Sequence, residues 1–274
     1  MVATAPAPAG TPGDAVPVRP RRRRWSWIVV VLTALAVAGF FGGQYVEGLA
    51  AVAARTPDNV SAASHFGALP TPIRVLFLVH VGTASLALGI GALQFSSALR
   101  RRNPRVHRVV GRVYLLAVGA AALTGLPTSL WNSLGIRGII GYALLDVMWG
   151  LTAWLAYRAA RRRRFHEHQA WAIRNFALTY AAVTLRAGLP VLIALQLPFD
   201  PGASFPQLFD NAMHTIAPWL GWLVNLVVAE WLVARRGLPG VRWSTFRQDP
   251  GPVLVGWGTV ATTVVTEGSS TGSP

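Results

Sequence analysis

Six apolar runs, each about as long as a bilayer is thick, leave this chain few ways to fold. They cover about 25–46, 73–99, 106–131, 139–160, 169–197 and 215–234. A helix rises 1.5 Å per residue, so ~20 residues cross a hydrocarbon core of ~30 Å. Inside that core each backbone N–H and C=O has to be satisfied within its own segment, which an α-helix does. The expectation is therefore an all-α polytopic membrane helix bundle of about six transmembrane helices, filling residues 25–236. Only 13% of the chain is charged, against about 25% in soluble domains. A signal peptide is the rival reading of the first run, with Ala51-Val52-Ala53 as a cleavage site. The run is too long for an apolar signal region of ~7–15 residues, so an uncleaved anchor is expected.

Arginine placement sets the orientation. All 25 basic residues are arginine and the formal charge is +15. One set of connections holds Arg19 to Arg24, the group from Arg100 to Arg112, Arg158 to Arg164, and Arg235, Arg236, Arg242 and Arg247. The alternate set holds only Arg55, Arg74 and Arg137. Basic loops stay on the cytoplasmic side, so both termini are expected there. Nucleic acid is not an expected partner, because its recognition needs a basic face on a soluble domain rather than arginines scattered between spans. The lipid bilayer is the expected surrounding, and the all-arginine, Ala- and Gly-rich usage suggests a bacterial inner membrane. Residues 1–24 form an Ala/Pro/Gly-rich basic tail, expected to be disordered. Residues 237–274, ending GSSTGSP, are expected to be a largely disordered cytoplasmic tail. There is no cysteine, which excludes disulfides, iron–sulfur clusters and c-type haem attachment while leaving histidine-held b-type haem open.

The stretch His80–Tyr114 organises the bundle: the body of one span, a turn rich in arginine, and the entry to the next span. On the first span His80, Ala84, Ala87, Gly91 and Gln94 recur at helical spacing. On the second, His107, Gly111, Tyr114, Val118, Ala121, Gly125 and Thr128 do the same. Small residues let helix backbones approach, so both faces should turn inward. Pro127 and Pro190 are expected to kink the third and fifth spans near their outer ends, and 198–213 is expected to be irregular.

Ionisable groups in a membrane are costly and usually face a partner or a cavity. Depth along the spans pairs Asp146 with Arg186 and Arg174 with Glu230; Asn225 and Gln94 complete the intramembrane polar set. These pairs could be structural, or could hold the charged groups of a ligand. Among the histidines, His80 and His214 lie towards the outer side and His107 and His168 at the cytoplasmic boundary, one pair per leaflet. Two stacked b-type haems would need that layout, with Arg112, Arg174 and Arg186 balancing propionate or quinone charge. His166 and His168 around Glu167 look like a metal pair only on paper, since i and i+2 point to different helix faces. His65 sits in a polar outer loop and reads as solvated.

Several motifs resemble one bacterial family. They are H-x-G at His80 and Gly82, Gln94-Phe95, P-x-x-H-R-x-x-G-R-x-Y from Pro104 to Tyr114, and His168, Trp171 and Arg174. Tyr180, Arg186, Trp222, Asn225 and Glu230 continue the likeness. The chain is similar to predicted membrane proteins of the domain of unknown function 2306 family over about His80 to Glu230. Many members carry W-M-x-R where this chain has Trp171-Ala172-Ile173-Arg174. The resemblance implies a multi-pass fold and no established activity. The layout has a weaker, fold-level likeness to cytochrome b561 and ferric reductase bundles. The leading expectation is a transmembrane redox protein associated with b-type haem or quinone, working with a redox partner. In that reading His80 pairs with His214 and His107 with His168. The alternatives are a non-redox transporter or small-molecule or lipid-binding protein, and a structural membrane subunit.

Overall fold

A computed structural model describes residues 22–54 and 62–241. Of the tail expected to be disordered over residues 1–24, residues 1–21 lie outside the described residues and Arg22–Arg24 instead open α1. Positions 242–274 of the C-terminal tail also lie outside them. The chain begins with α1 (Arg22–Gly43), a 3₁₀ turn at Gln44–Glu47, and two short helices, α2 (Leu49–Ala53) and α3 (Ala62–Ala68). The long α4 (Thr71–Gly91) runs through a 3₁₀ turn at Ala92–Phe95 into α5 (Ser97–Arg102). Then come α6 (Pro104–Leu130), α7 (Gly135–Arg161), α8 (Phe165–Thr179), α9 (Ala181–Gln196), α10 (Phe205–Thr215) and α11 (Ala217–Arg235). Among the described residues, α1, α4, α6, α7 and α11 are each long and apolar enough to cross a membrane. The pair α8 and α9, bent by 44° at the break between them, makes a sixth if the two are taken as one span. The fold is an all-α membrane bundle.

Local chemistry explains where the spans break. The run expected to be continuous to Leu99 stops at Gly91, because Ser96 caps a new helix by accepting a hydrogen bond from the Leu99 N–H at 3.2 Å. Pro104 then occupies the first turn of α6, where its missing N–H costs nothing. The fifth span was expected to kink at Pro190. It breaks instead at Tyr180, and Pro190 lies inside α9. Thr179, just before the break, bonds back to the Asn175 carbonyl at 3.0 Å, a local bond that bends helices. The outer loop expected to be irregular over 198–213 contains α10. Its start is a capping box, with Ser204 and Gln207 satisfying each other's backbone amides. Gly237, with φ of 60°, ends α11 in the left-handed conformation that glycine adopts without strain.

The small-residue faces of α4 and α6 pack against each other. Ala87, Val118 and Ala121 are fully enclosed. A side chain on Gly91 would sit 2.7 Å from the Tyr114 ring, so only glycine lets that tyrosine lie there. α6 packs on α7, α7 on α8, and α11 on both α8 and α9. α1 lies outside this core. It packs mainly on α4 and less on α9, and among its described residues Ala34 is fully buried while about half are exposed.

Candidate ligand-binding chamber

A chamber of about 810 Å³ opens within the half of the bundle away from the arginine clusters. Each wall has a different chemistry. Val37, Ala38 and Phe41 of α1, with Val81, Ala84 and Leu88 of α4, make an apolar side. Thr128 and Ser129 of α6 and Tyr142 and Asp146 of α7 make a polar one, His80 of α4 also lines it, and Arg186 projects from α9. His65, Asp210 and His214 rim its outer part.

The floor is a buried polar knot. Tyr114 donates its hydroxyl to Asn175 Oδ1 at 2.6 Å and lies 2.8 Å from Thr179 Oγ1, which accepts from Trp149 Nε1 at 2.9 Å. Asn175 Nδ2 donates to the Trp149 carbonyl and to Thr152 Oγ1, both at 2.9 Å. Asn175 has no solvent exposure, and its side chain is fully bonded, so the knot fixes three helices without an unpaired group.

Gly125 shapes the polar wall. A Cβ at this position would lie 2.6 Å from both Asp146 Oδ1 and His80 Nδ1. Its absence lets a carboxylate and an imidazole converge from two other helices. His80 Nδ1 bonds to the Ala121 carbonyl at 2.9 Å. A carbonyl only accepts, so Nδ1 carries the hydrogen. Asp146 Oδ2 accepts from Ser129 Oγ at 2.8 Å.

The expected Asp146–Arg186 ion pair is not made. Arg186 donates Nη1 to the Ala182 carbonyl of its own helix at 2.9 Å, and its guanidinium lies over the Phe41 ring at 4.0 Å. The tyrosines within its electrostatic reach are Tyr45 and Tyr142. Among the described residues no carboxylate lies within ion-pair distance of it. α8 packs on α7, but beyond the break at Tyr180 α9 packs on α11 and hardly on α7, so equal depth did not bring the two charges together.

The expected Arg174–Glu230 pair does form, bidentately, at 2.5 and 2.8 Å, with Arg174 also over the Trp171 ring at 4.7 Å. Asn225 accepts from Thr184 at 2.8 Å and donates to the Ala177 carbonyl at 3.0 Å. These three residues tie α11 to α8 and α9 and do not line the chamber. Arg112 is exposed on α6. His80 and His214 share the chamber; His107 and His168 lie at the other end, within electrostatic reach of each other. His168 Nδ1 bonds to the Ala156 carbonyl at 2.9 Å, whereas His107 Nδ1 and Gln94 Nε2 are enclosed without a hydrogen-bond partner. Sequence reading missed Ser129, Tyr142 and Phe41. Tyr142 was legible as the residue one turn before Asp146 on the same helix face.

The fold and chamber define a polytopic helical membrane protein with a polar-and-apolar internal cavity. The family model described as Predicted membrane protein (DUF2306) matches residues 77–233, more than half of the chain, and the chain belongs to that family. The match starts within α4, so the residues that α1 and α3 contribute to the chamber lie outside it. No curated protein and no solved structure matches the chain.

Proposed function

We propose that this protein binds a small anionic molecule in the chamber, on the side of the membrane opposite its arginine-rich loops, which we read as the outer side. The observation that carries this reading is Arg186: a cation within a membrane span, lining an 810 Å³ chamber, with no carboxylate partner among the described residues. A guanidinium has five N–H donors, and one is accounted for by Ala182. Holding such a cation away from water costs several kcal/mol unless an anion offsets it. A chamber of 300–1,000 Å³ with apolar walls and a few convergent polar groups is the usual form of a small-molecule site. Tyr142 offers a hydroxyl that can donate to the anion, whereas Ser129 and His80 already give their hydrogens to Asp146 and the Ala121 carbonyl.

Native mass spectrometry of the protein in lipid nanodiscs tests this. Wild-type protein should carry an anionic small molecule that Arg186→Gln loses at unchanged helicity. The same bound species on both proteins would rule the reading out.

One observation favours a second reading, a redox protein with b-type haem or quinone. His80 and His168 each commit Nδ1 to a backbone carbonyl. That hydrogen bond leaves Nε2 as the ligating nitrogen, as in histidines that hold metals. A reduced-minus-oxidised absorption spectrum separates the two, because only the haem form is coloured.

A further inference from the structure

Resting on the anion reading of the chamber, we infer that its ligand is a single-chain anionic amphiphile that enters sideways from the lipid, between α1 and α9. Its head group meets Arg186 and its chain lies along α1 and α4.

Three observations converge on this. The lining is mixed: α1 contributes only apolar side chains, α4 gives Val81, Ala84 and Leu88 beside Ser85 and His80, and α6 and α7 bring Thr128, Ser129, Tyr142 and Asp146. A small hydrophilic anion has no use for the apolar part, whereas an alkyl chain gains by filling it.

The attachment of α1 is also lopsided. It lies on α4 through a close seam, with Gly42 against Ser85 and the Ala38 Cβ 3.9 Å from where a Gly89 Cβ would lie. Trp27 adds a hydrogen bond to the Ala92 carbonyl at 3.3 Å. Towards α9 it has a hydrogen bond between Thr33 and Tyr180 at 2.6 Å, and the stacking of Phe41 on Arg186 at 4.0 Å. Ala34, Leu88 and Val183 close this side with a small buried cluster. But α1 packs less on α9 than on α4, so the α1–α9 side is the weaker seam, and Phe41 and Arg186 line the chamber behind it.

Finally, the latch and the anchor are one residue. Phe41 occupies the face of the same guanidinium that an anionic head would bind. The cation–π contact contributes ~0.5–2 kcal/mol, and a charge-assisted hydrogen bond replaces it favourably. An arriving head group therefore releases α1 from Arg186 as it binds.

The chain has no native cysteine, which permits a clean test. Ala38→Cys with Gly89→Cys places two Cβ atoms 3.9 Å apart, within the ~3.5–4.5 Å of a disulfide, and pins α1 in its seated position. Stopped-flow binding of dodecanoate and butyrate to nanodisc-held protein is then compared before and after oxidation. Wild-type protein should bind dodecanoate at least about tenfold more tightly than butyrate. Oxidation should slow dodecanoate association by about tenfold and slow its dissociation as well, and reductant should restore both rates. Thr33→Val, which removes the Thr33–Tyr180 hydrogen bond, should speed both rates. If oxidation and Thr33→Val leave the rates alone, lateral entry is wrong. Equal affinity for the two chain lengths contradicts the amphiphile, and failure of wild-type protein to bind either carboxylate overturns the anion reading as well.

Discussion

Asp146 and Arg186, the two charges placed at similar depth in neighbouring spans, face one chamber without pairing. Asp146 is held by Ser129 at 2.8 Å, and Arg186 is stacked on Phe41 at 4.0 Å. The separation leaves a cation beside an apolar wall and a carboxylate beside an imidazole, and a bound molecule can use both. Arg174 and Glu230 show the contrast. There the guanidinium charge is paired with a carboxylate, so the pair fastens α8 to α11.

Gly125→Ala should disrupt the polar wall. The added methyl would sit 2.6 Å from both Asp146 Oδ1 and His80 Nδ1, and overpacking of this kind costs ~1–3 kcal/mol. Gly119→Ala, on the same helix with nothing within 4 Å of the new atom, should be neutral or slightly stabilising. Thermal unfolding in detergent compares the two variants, and equal melting temperatures would refute the packing argument.

Asn175→Ala should be among the most damaging single changes. It removes three buried hydrogen bonds, those to the Tyr114 hydroxyl, the Trp149 carbonyl and Thr152 Oγ1, each contributing ~0.5–1.5 kcal/mol. Tyr114→Phe removes only the hydroxyl between Asn175 and Thr179 and leaves the other bonds of Asn175 in place, so it should cost less. The order of their melting temperatures checks this, and a Tyr114→Phe protein less stable than Asn175→Ala would contradict it.

Glu230→Gln should lower stability by about 1.5–3 kcal/mol through loss of the charge-assisted bonds to Arg174. Ligand affinity should stay within about twofold, a change under 0.5 kcal/mol, because Glu230 does not line the chamber. A large loss of binding at unchanged stability would place Glu230 in the site after all.

Phe41→Leu should keep α1 seated through the Gly42 and Ala38 seam while removing the ring over Arg186. An anionic ligand then has no aromatic competitor for the guanidinium, so affinity should rise by about two- to tenfold, as loss of a cation–π contact implies. Titration of an alkyl carboxylate into both proteins measures this. Weaker binding by the variant would mean that Phe41 positions Arg186 rather than occupying its face.

The spans were legible in the sequence because bilayer thickness imposes their length, and the inward faces of α4 and α6 because small residues at helical spacing have few other uses. Arg174 and Glu230 were legible from depth alone because α8 and α11 are neighbours. The same reasoning failed for Asp146 and Arg186 because it took the fifth span as unbroken up to Pro190. The break at Tyr180 rests on tertiary contacts, the Thr179 back-bond and the Tyr180–Thr33 hydrogen bond, and neither has a local sequence signal as strong as a proline. α10 could have been read from Ser204, Pro206 and Gln207, whose spacing is that of a capping box. The role of α1 could not, because what it covers depends on where α9 goes after the bend.

The most direct test of the central claim is the preference of the chamber for charge over shape. Dodecanoate and 1-dodecanol share a chain and differ in the head. Equilibrium dissociation constants for both should be measured on wild-type protein and on Arg186→Gln in nanodiscs of neutral lipid. Wild-type protein should favour the carboxylate by about tenfold or more, equivalent to ~1.4 kcal/mol, and Arg186→Gln should bind the two alike. A preference that survives the loss of Arg186, or a wild-type protein indifferent to the charge, would contradict the account.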